Sequence, residues 1–236
     1  MEKLEQPLEL RVDIVSDVVC PWCIVGYLQL RRALKRLDGE FLPRISWHPF
    51  ELNPQMPDEG QDLREHIAQK YGSNDAESEA VRDRLTALGA DLGFTFNYFE
   101  GMRMVNTFRA HQLLHWAGVL GRQTELQLAL FEAFFSRAQD VNDADVLAAV
   151  AATVGLPADE ARDVIGSARY ASAVREEQRY WLDRDVHAVP TFFFQGQYMV
   201  PGAQAEETFV RVLQKVRARS SSGTVTADRQ DNARFD

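Results

Sequence analysis

The chain has 236 residues, 45% of them hydrophobic, and a formal charge of −9. That length fits one large domain, or one domain with a sizeable insertion. The acidic balance argues against a nucleic-acid binder, because phosphate contacts need basic surface, and no apolar run approaches the about 20 residues of a membrane span. The first residues, Met1 to Pro7, carry no apolar signal-peptide core, so a cytoplasmic location is expected.

Leu8 to Val15 alternates apolar and polar residues and ends apolar, which predicts a strand. From Trp22 to Leu37 apolar residues recur at helical spacing, with Pro21 at the first helical position, where a proline forfeits no hydrogen bond the helix could have made. The only two cysteines, Cys20 and Cys23, lie at this strand-to-helix junction as Cys20-Pro21-Trp22-Cys23. Cys20 falls at the helix N-cap, where unpaired N–H groups and the positive dipole end favour an anion. The thiolate is the nucleophile in disulfide exchange. Cys20 is therefore read as the exposed attacking thiol and Cys23, one turn into the helix, as the buried resolving thiol. A zinc site is the competing reading. It needs four ligands, no third cysteine exists, and of the five histidines only His111 and His115 are close together. No metal is assigned. In a reducing compartment such a pair is more often catalytic or metal-binding than a structural staple.

Pro43 to Phe50 predicts a second strand, completing a β-α-β unit, and Glu51 to Gly60 is a loop rich in breakers. Helical patterns then dominate: from Asp62, Ala76 to Leu92, Asn106 to Ala117, Gln123 to Arg137, Asp143 to Val154, Ala158 to Ile165 and Tyr170 to Asp185. Their aromatic stripes are read as core. Thr191 to Phe194 and Tyr198 to Val200 form a hairpin across Gln195-Gly196-Gln197, and Gly202 to Arg217 is a last helix. Residues 218–236 are polar and expected to be a disordered tail. The expected class is α/β. Residues 8–60 and 186–217 would share one sheet, and 61–185 would form an all-helical insertion whose last helix bridges back to it.

This order of elements resembles the thioredoxin fold with the helical insertion of the DsbA family, and is most similar to its FrnE-like branch. Three segments carry the resemblance: Ser16 to Cys23 with Gly26; Asn106 to His111 leading into Trp116; and Val186 to Phe192 followed by Val200 to Gln204. The resemblance implies a thiol–disulfide oxidoreductase with a redox-active Cys20–Cys23 pair and no bound cofactor. External thiols such as glutathione or a thioredoxin system would recycle it, and protein or peptide thiols and disulfides would be its substrates. It implies that Pro190 is cis and faces the cysteines. Pro21, Trp22, Val189 and Pro190 would then line the substrate groove. An insertion helix contacts the substrate in the related kappa-type transferases, which points to Asn106. Family members with histidine at the position of Trp22 use it to stabilise the thiolate, and Trp22 offers no such charge. Two rival readings are a glutathione-dependent isomerase of the 2-hydroxychromene-2-carboxylate type, which generally has serine where Cys20 stands, and a redox-independent chaperone-like binding module.

Overall fold

The computed structural model describes residues 6–227. Strand β1 (Leu8–Ser16) leads through a short turn into α1 (Pro21–Arg36) and then β2 (Phe41–Pro49). β1 and β2 pair in parallel, with Val15 opposite His48. Near the other end of the chain, β5 (Thr191–Phe194) pairs antiparallel with the far side of β1 and β6 (Tyr198–Pro201) closes the hairpin, giving the order β2-β1-β5-β6. β1 thus has a neighbour on both sides. Its residues from Val12 to Ser16 are all buried, as a central strand requires.

The helices between the two ends are α2 (Leu63–Tyr71), α3 (Asp75–Leu92), α4 (Phe108–Val119), α5 (Gln123–Phe131), α6 (Ala144–Thr153), α7 (Ala158–Gly166) and α8 (Ala171–Leu182). Their starts follow side-chain chemistry. Asp62 caps α2, Asp143 caps α6, and Asn74 with Glu77 forms a reciprocal capping box on α3. The pattern from Gln123 to Arg137 predicts one helix, but α5 stops at Phe131 and continues as a π-helical turn over Glu132–Ser136. Its Arg137 N–H donates to the Glu132 carbonyl at 2.9 Å. The wider turn lets the adjacent Phe134 and Phe135 both be buried. Two-residue strands β3 (Gln61–Asp62) and β4 (Arg103–Met104) form a small antiparallel ladder that is too short to leave a periodic signal.

The last helix, α9 (Glu206–Ala227), corrects the expected boundaries. It begins after Gly202, whose φ of +76° is not helical. It also runs through residues 218–227, which the sequence reading assigned to a tail. Phe209, Leu213 and Val216 seat the helix in the core, and adding residues to a helix already fixed by packing carries no second nucleation cost. The remaining tail, 228–236, lies outside the described residues.

Packing fixes the strand-helix unit that carries the cysteines. Phe192 and Phe194 of β5 meet Phe209 of α9 with ring centroids 5.0 and 6.2 Å apart. Gly26 of α1 lets the helix close on this cluster. A Cβ there would lie 3.0 Å from Phe192 Cζ and 3.3 Å from Ala203 Cα. On the edge strand, the Gln123 side chain imitates a neighbouring strand, accepting from Trp47 N–H at 2.9 Å and donating to the Trp47 carbonyl at 2.8 Å. The Trp47 indole packs between Tyr27 and Phe131 and donates to Thr124 Oγ1 at 3.0 Å.

A polar network holds α8 to the sheet. His48 Nδ1 lies 2.6 Å from Glu177 Oε1 and His48 Nε2 3.1 Å from Asp13 Oδ1. His115 Nδ1 is 3.6 Å from Glu177 Oε2, and Arg11 pairs with Asp13 at 2.8 Å. Beside it, Trp181 packs tilted between His48 and Phe193, with ring centroids 4.7 and 4.9 Å away, and Arg175 and Gln178 both reach the buried Glu51 carboxylate. Burial alone would lower His48, but its bonds to Asp13 and Glu177 outweigh it and raise the imidazole above 6.5. Burial would raise Glu177, but His115 and His48 hold it at about 2.

Two predictions follow from this packing. Gly26→Val should cost about 1–3 kcal/mol by overpacking against Phe192 and Ala203, read as a lower urea midpoint at unchanged slope. Glu177→Gln should cost about 2 kcal/mol, as expected for hydrogen bonds to charged groups. Its pH dependence is fixed in sign. The lowered Glu177 contributes fully above its ordinary 4.5 and less as pH falls towards 2. The raised His48 contributes fully below 6.5 and loses its contribution as pH climbs through the raised value. The stability gap between wild type and variant should be widest at about pH 4.5–6.5 and narrow on both sides, measured by urea melts monitored through tryptophan fluorescence.

Candidate active site

β1 ends at Ser16, and Asp17 to Cys20 make the turn into α1. The Cys20 N–H donates to the Asp17 carbonyl at 3.1 Å, and the Cys23 N–H donates to the Cys20 carbonyl at the same distance. Cys20 is the N-cap of α1, with extended backbone (φ −91°, ψ 111°) and proline following at the first helical position. The two sulfurs are free thiols.

The sequence reading makes Cys20 the exposed member of the pair. The structure corrects this, because Cys20 is 3% and Cys23 0% exposed. What covers Cys20 comes from 169 residues away: its Sγ–H points at the Val189 carbonyl, 3.7 Å off. The Val189–Pro190 peptide bond is cis, and the Pro190 carbonyl accepts from Gly202 N–H at 2.8 Å. Pro21, Trp22 and Val189 are half-buried around the thiols and Pro190 is buried. Trp22 carries the Arg84 guanidinium 5.7 Å over its ring.

The two thiols differ in surroundings. Burial pushes Cys23 well up, the adjacent Cys20 adds to this, and Ser16 and the Asp17 backbone oppose it. Cys23 is thus held as a thiol until a base or the chemistry at Cys20 removes its proton. Around Cys20 stand groups from the helical block that the sequence reading missed. Lys70 and Tyr71, from the last turn of α2, and Tyr98, before β4, all lie within electrostatic reach of it. Burial raises both tyrosines, and the nearby Cys20 adds to each. None of the three has a telling sequence spacing to the cysteines. Asp17 is fully buried; its Oδ2 accepts from Leu52 N–H at 2.7 Å, while Oδ1 makes no hydrogen bond but lies 3.4 Å from Nε2 of the buried His111.

Other predicted positions go elsewhere. Asn106, expected to contact substrate, uses both ends of its amide inside the chain. Nδ2 donates to the Met56 carbonyl and Oδ1 accepts from Phe108 N–H, each at 2.9 Å. The side chain turns the chain into α4. His111 donates from Nε2 to the Phe50 carbonyl at 3.0 Å, while His115 faces Glu177. Among the described residues no group of three or more His, Cys, Asp or Glu side chains is arranged to hold a metal ion, and no helix is long and apolar enough to cross a membrane.

Known proteins share this fold. The chain is 32% identical to a probable DsbA oxidoreductase of Streptomyces coelicolor of known crystal structure, with TM-score 0.83 over 89% of this chain and 90% of that one. It is 26% identical to the uncharacterized protein YwbO of Bacillus subtilis, over 87% of this chain and 96% of that protein. The cytosolic disulfide reductase DsbM of Pseudomonas aeruginosa shares the fold at 14% identity and TM-score 0.62, over 88% of this chain and 99% of that one, and is also known in a structure with glutathione. The DSBA-like thioredoxin domain matches residues 11–214. A central β1 flanked by β2 and β5, a Cys-x-x-Cys opening α1 and a long helical block between the halves of the sheet therefore have one source: the chain belongs to the DSBA-like thioredoxin domain family.

Proposed function

We propose that this protein is a thiol–disulfide oxidoreductase working through Cys20 and Cys23. The observation that carries the reading is the placement of Cys20 at the N-cap of α1, its sulfur beside the Val189 carbonyl and Cys23 one turn behind it. In the reducing direction the Cys20 thiolate attacks a substrate disulfide. It forms a mixed disulfide and expels one substrate thiolate, which takes up a proton. Cys23 then loses its proton and attacks Cys20 Sγ. The second substrate thiol leaves, and the Cys20–Cys23 disulfide remains. Two electrons pass to the substrate, and the oxidising direction is the same sequence reversed. No further cofactor takes part.

Pro21, Trp22, Val189 and Pro190 form the surface a substrate meets, and the cis Pro190 segment offers backbone beside the thiols for an extended peptide to pair with. The covering of Cys20 requires that a substrate approach along the Val189 side and take over the contact its sulfur now makes with that carbonyl. Substrates are protein, peptide or small-molecule thiols and disulfides, and glutathione or a thioredoxin-type reductant returns the pair to its working state. The cytosolic DsbM, a structural neighbour known with glutathione, supports this choice of partner and a cytoplasmic location. The second thiol, Cys23, favours this reading over the glutathione-dependent isomerase, which needs only one sulfur from its cofactor.

The test is a pair of substitutions assayed against a peptide disulfide with glutathione as reductant. Cys20→Ser should fall to the uncatalysed rate. Cys23→Ser should lose dithiol turnover and accumulate a glutathione adduct on Cys20, seen by mass spectrometry. Full turnover in either variant would reject the assignment.

A further inference from the structure

Trp22 leaves the residue pair between the cysteines without a positive charge, yet the chemistry places a negative sulfur there. Lys70 reaches the same place from the helical block. Its Nζ donates to the Leu52 carbonyl at 2.7 Å and to Asn53 Oδ1 at 2.6 Å. Both acceptors are neutral, so the ammonium keeps its full charge and, with three N–H donors, one left to give. The same Leu52 donates its N–H to Asp17 Oδ2 at 2.7 Å, and Asp17 accepts the Cys20 N–H on its own carbonyl. Lys70, residues 52–53, Asp17 and Cys20 are thus one hydrogen-bonded chain across the mouth of the site.

The charges along it are uneven. Asp17 is fully buried with one carboxylate oxygen lacking any hydrogen bond. A negative group there opposes a second negative charge at Cys20. Tyr71, Tyr98 and Cys23 also face Cys20 and are all pushed towards their neutral forms. Lys70 is the ammonium of the set, and His111 is the other basic side chain on it, its Nε2 3.4 Å from Asp17 Oδ1 and hydrogen-bonded to the Phe50 carbonyl. Burial lowers the Lys70 ammonium, while Asp17 and Cys20 pull it back up. Opposite charges attract mutually, so an ammonium placed here acts on a negative charge formed at Cys20.

Resting on the thiol–disulfide reading above, we propose that Lys70 is a positioning residue that offsets the buried Asp17 and favours the ionised Cys20, and thereby makes the Cys20–Cys23 couple more oxidising. The reason is a difference between the two redox states. The reduced pair holds a thiolate for Lys70 to attract, whereas the disulfide holds no charge, so the ammonium stabilises the reduced state selectively. Lys70 is exposed to solvent, so the effect is moderate and screened by salt.

The test is redox titration of the full chain in glutathione buffers, with the pH profile of Cys20 alkylation by the neutral reagent iodoacetamide. Lys70→Met should favour the disulfide about threefold, equivalent to about 14 mV at about 29.6 mV per tenfold for a two-electron couple. Its alkylation midpoint should rise by about half a pH unit, since a pKa shift and a thiolate population are the same free energy. Lys70→Arg should stay near wild type, because it keeps the charge. Asp17→Asn, where it folds, should shift both readouts the opposite way. A Lys70→Met protein indistinguishable from wild type, or Met and Arg variants shifted alike, would overturn the assignment while leaving the thiol–disulfide reading intact. A wild-type chain with no Cys20–Cys23 couple in glutathione would overturn both.

Discussion

The site depends on hydrogen bonding of the central strand. β1 pairs with β2 on one edge and β5 on the other, and the two ladders bring Val15 opposite both His48 and Thr191. Thr191 is the first residue of β5, so Pro190 and Val189 arrive just before it, beside the residues that follow Val15. That is where Asp17 to Cys20 turn into α1. The contact between Cys20 and Val189 is therefore set by backbone register, which a one-residue slip would destroy together with the burial of both faces of β1. No catalytic side chain is needed to bring the two halves together. This is why a helical block of more than a hundred residues' separation, 169 between the contacting pair, can be accommodated without loosening the site.

The two faces of β1 carry different work. Ile14 shares one face with Trp47 and Phe192, its partners in register, and these pack with Tyr27 and Phe209 into the apolar core. Val15 and Asp13 point the other way, towards α8, with His48, Phe193 and Trp181. A carboxylate in a central strand is costly unless paired, and Asp13 is paired with both His48 and Arg11. Burial tends to raise it, and those two partners bring it down. The position is polar because α8 must be oriented as well as buried: α8 leads directly into the segment that ends at Val189 and Pro190, and directional hydrogen bonds fix its placement in a way apolar contact alone does not.

Much of this was legible in the sequence because it is written in local periodicity. The alternation of Leu8 to Val15, the helical stripe after Pro21 and the turn Gln195-Gly196-Gln197 each need only their own neighbours, and β1, α1 and the hairpin lie within two residues of where those patterns put them. The cysteines are legible for a similar reason, since their spacing and the proline after Cys20 are local. What the sequence hides are relations between distant segments. The contact between Cys20 and Val189 joins residues 169 apart. Lys70, Tyr71 and Tyr98 are ordinary polar residues of a helix end and a loop until α2 folds against residues 52–53. Asp13, His48 and Glu177 come from three separate elements, and none of their spacings hints at the others. Asn106, to which the family resemblance points as a substrate contact, has both ends of its amide bonded within the chain, to Met56 and Phe108, which its position in the sequence does not show. The extent of α9 was misread because composition reports the polarity of residues 218–227 and is blind to the packed turns before them.

Two helices of the block, α8 and α2, reach the loop after β2, and both are held there by polar bonds. On one side, α8 fixes the approach to Pro190 through Glu177 and His48, with Arg175 and Gln178 clamping Glu51. On the other, α2 grips the Leu52 carbonyl and Asn53 through Lys70, and Leu52 in turn grips Asp17. Glu51, Leu52 and Asn53 are consecutive, so the loop after β2 is the meeting point of the two helices. A change in either helix is transmitted to the same three residues and from there to the turn that holds Cys20. An insertion that merely roofed the site could alter which substrates enter. One that hydrogen-bonds to Leu52, which in turn bonds Asp17, is also tied to the turn that holds the sulfur. The helical block is thus part of the surroundings of Cys20 and Cys23.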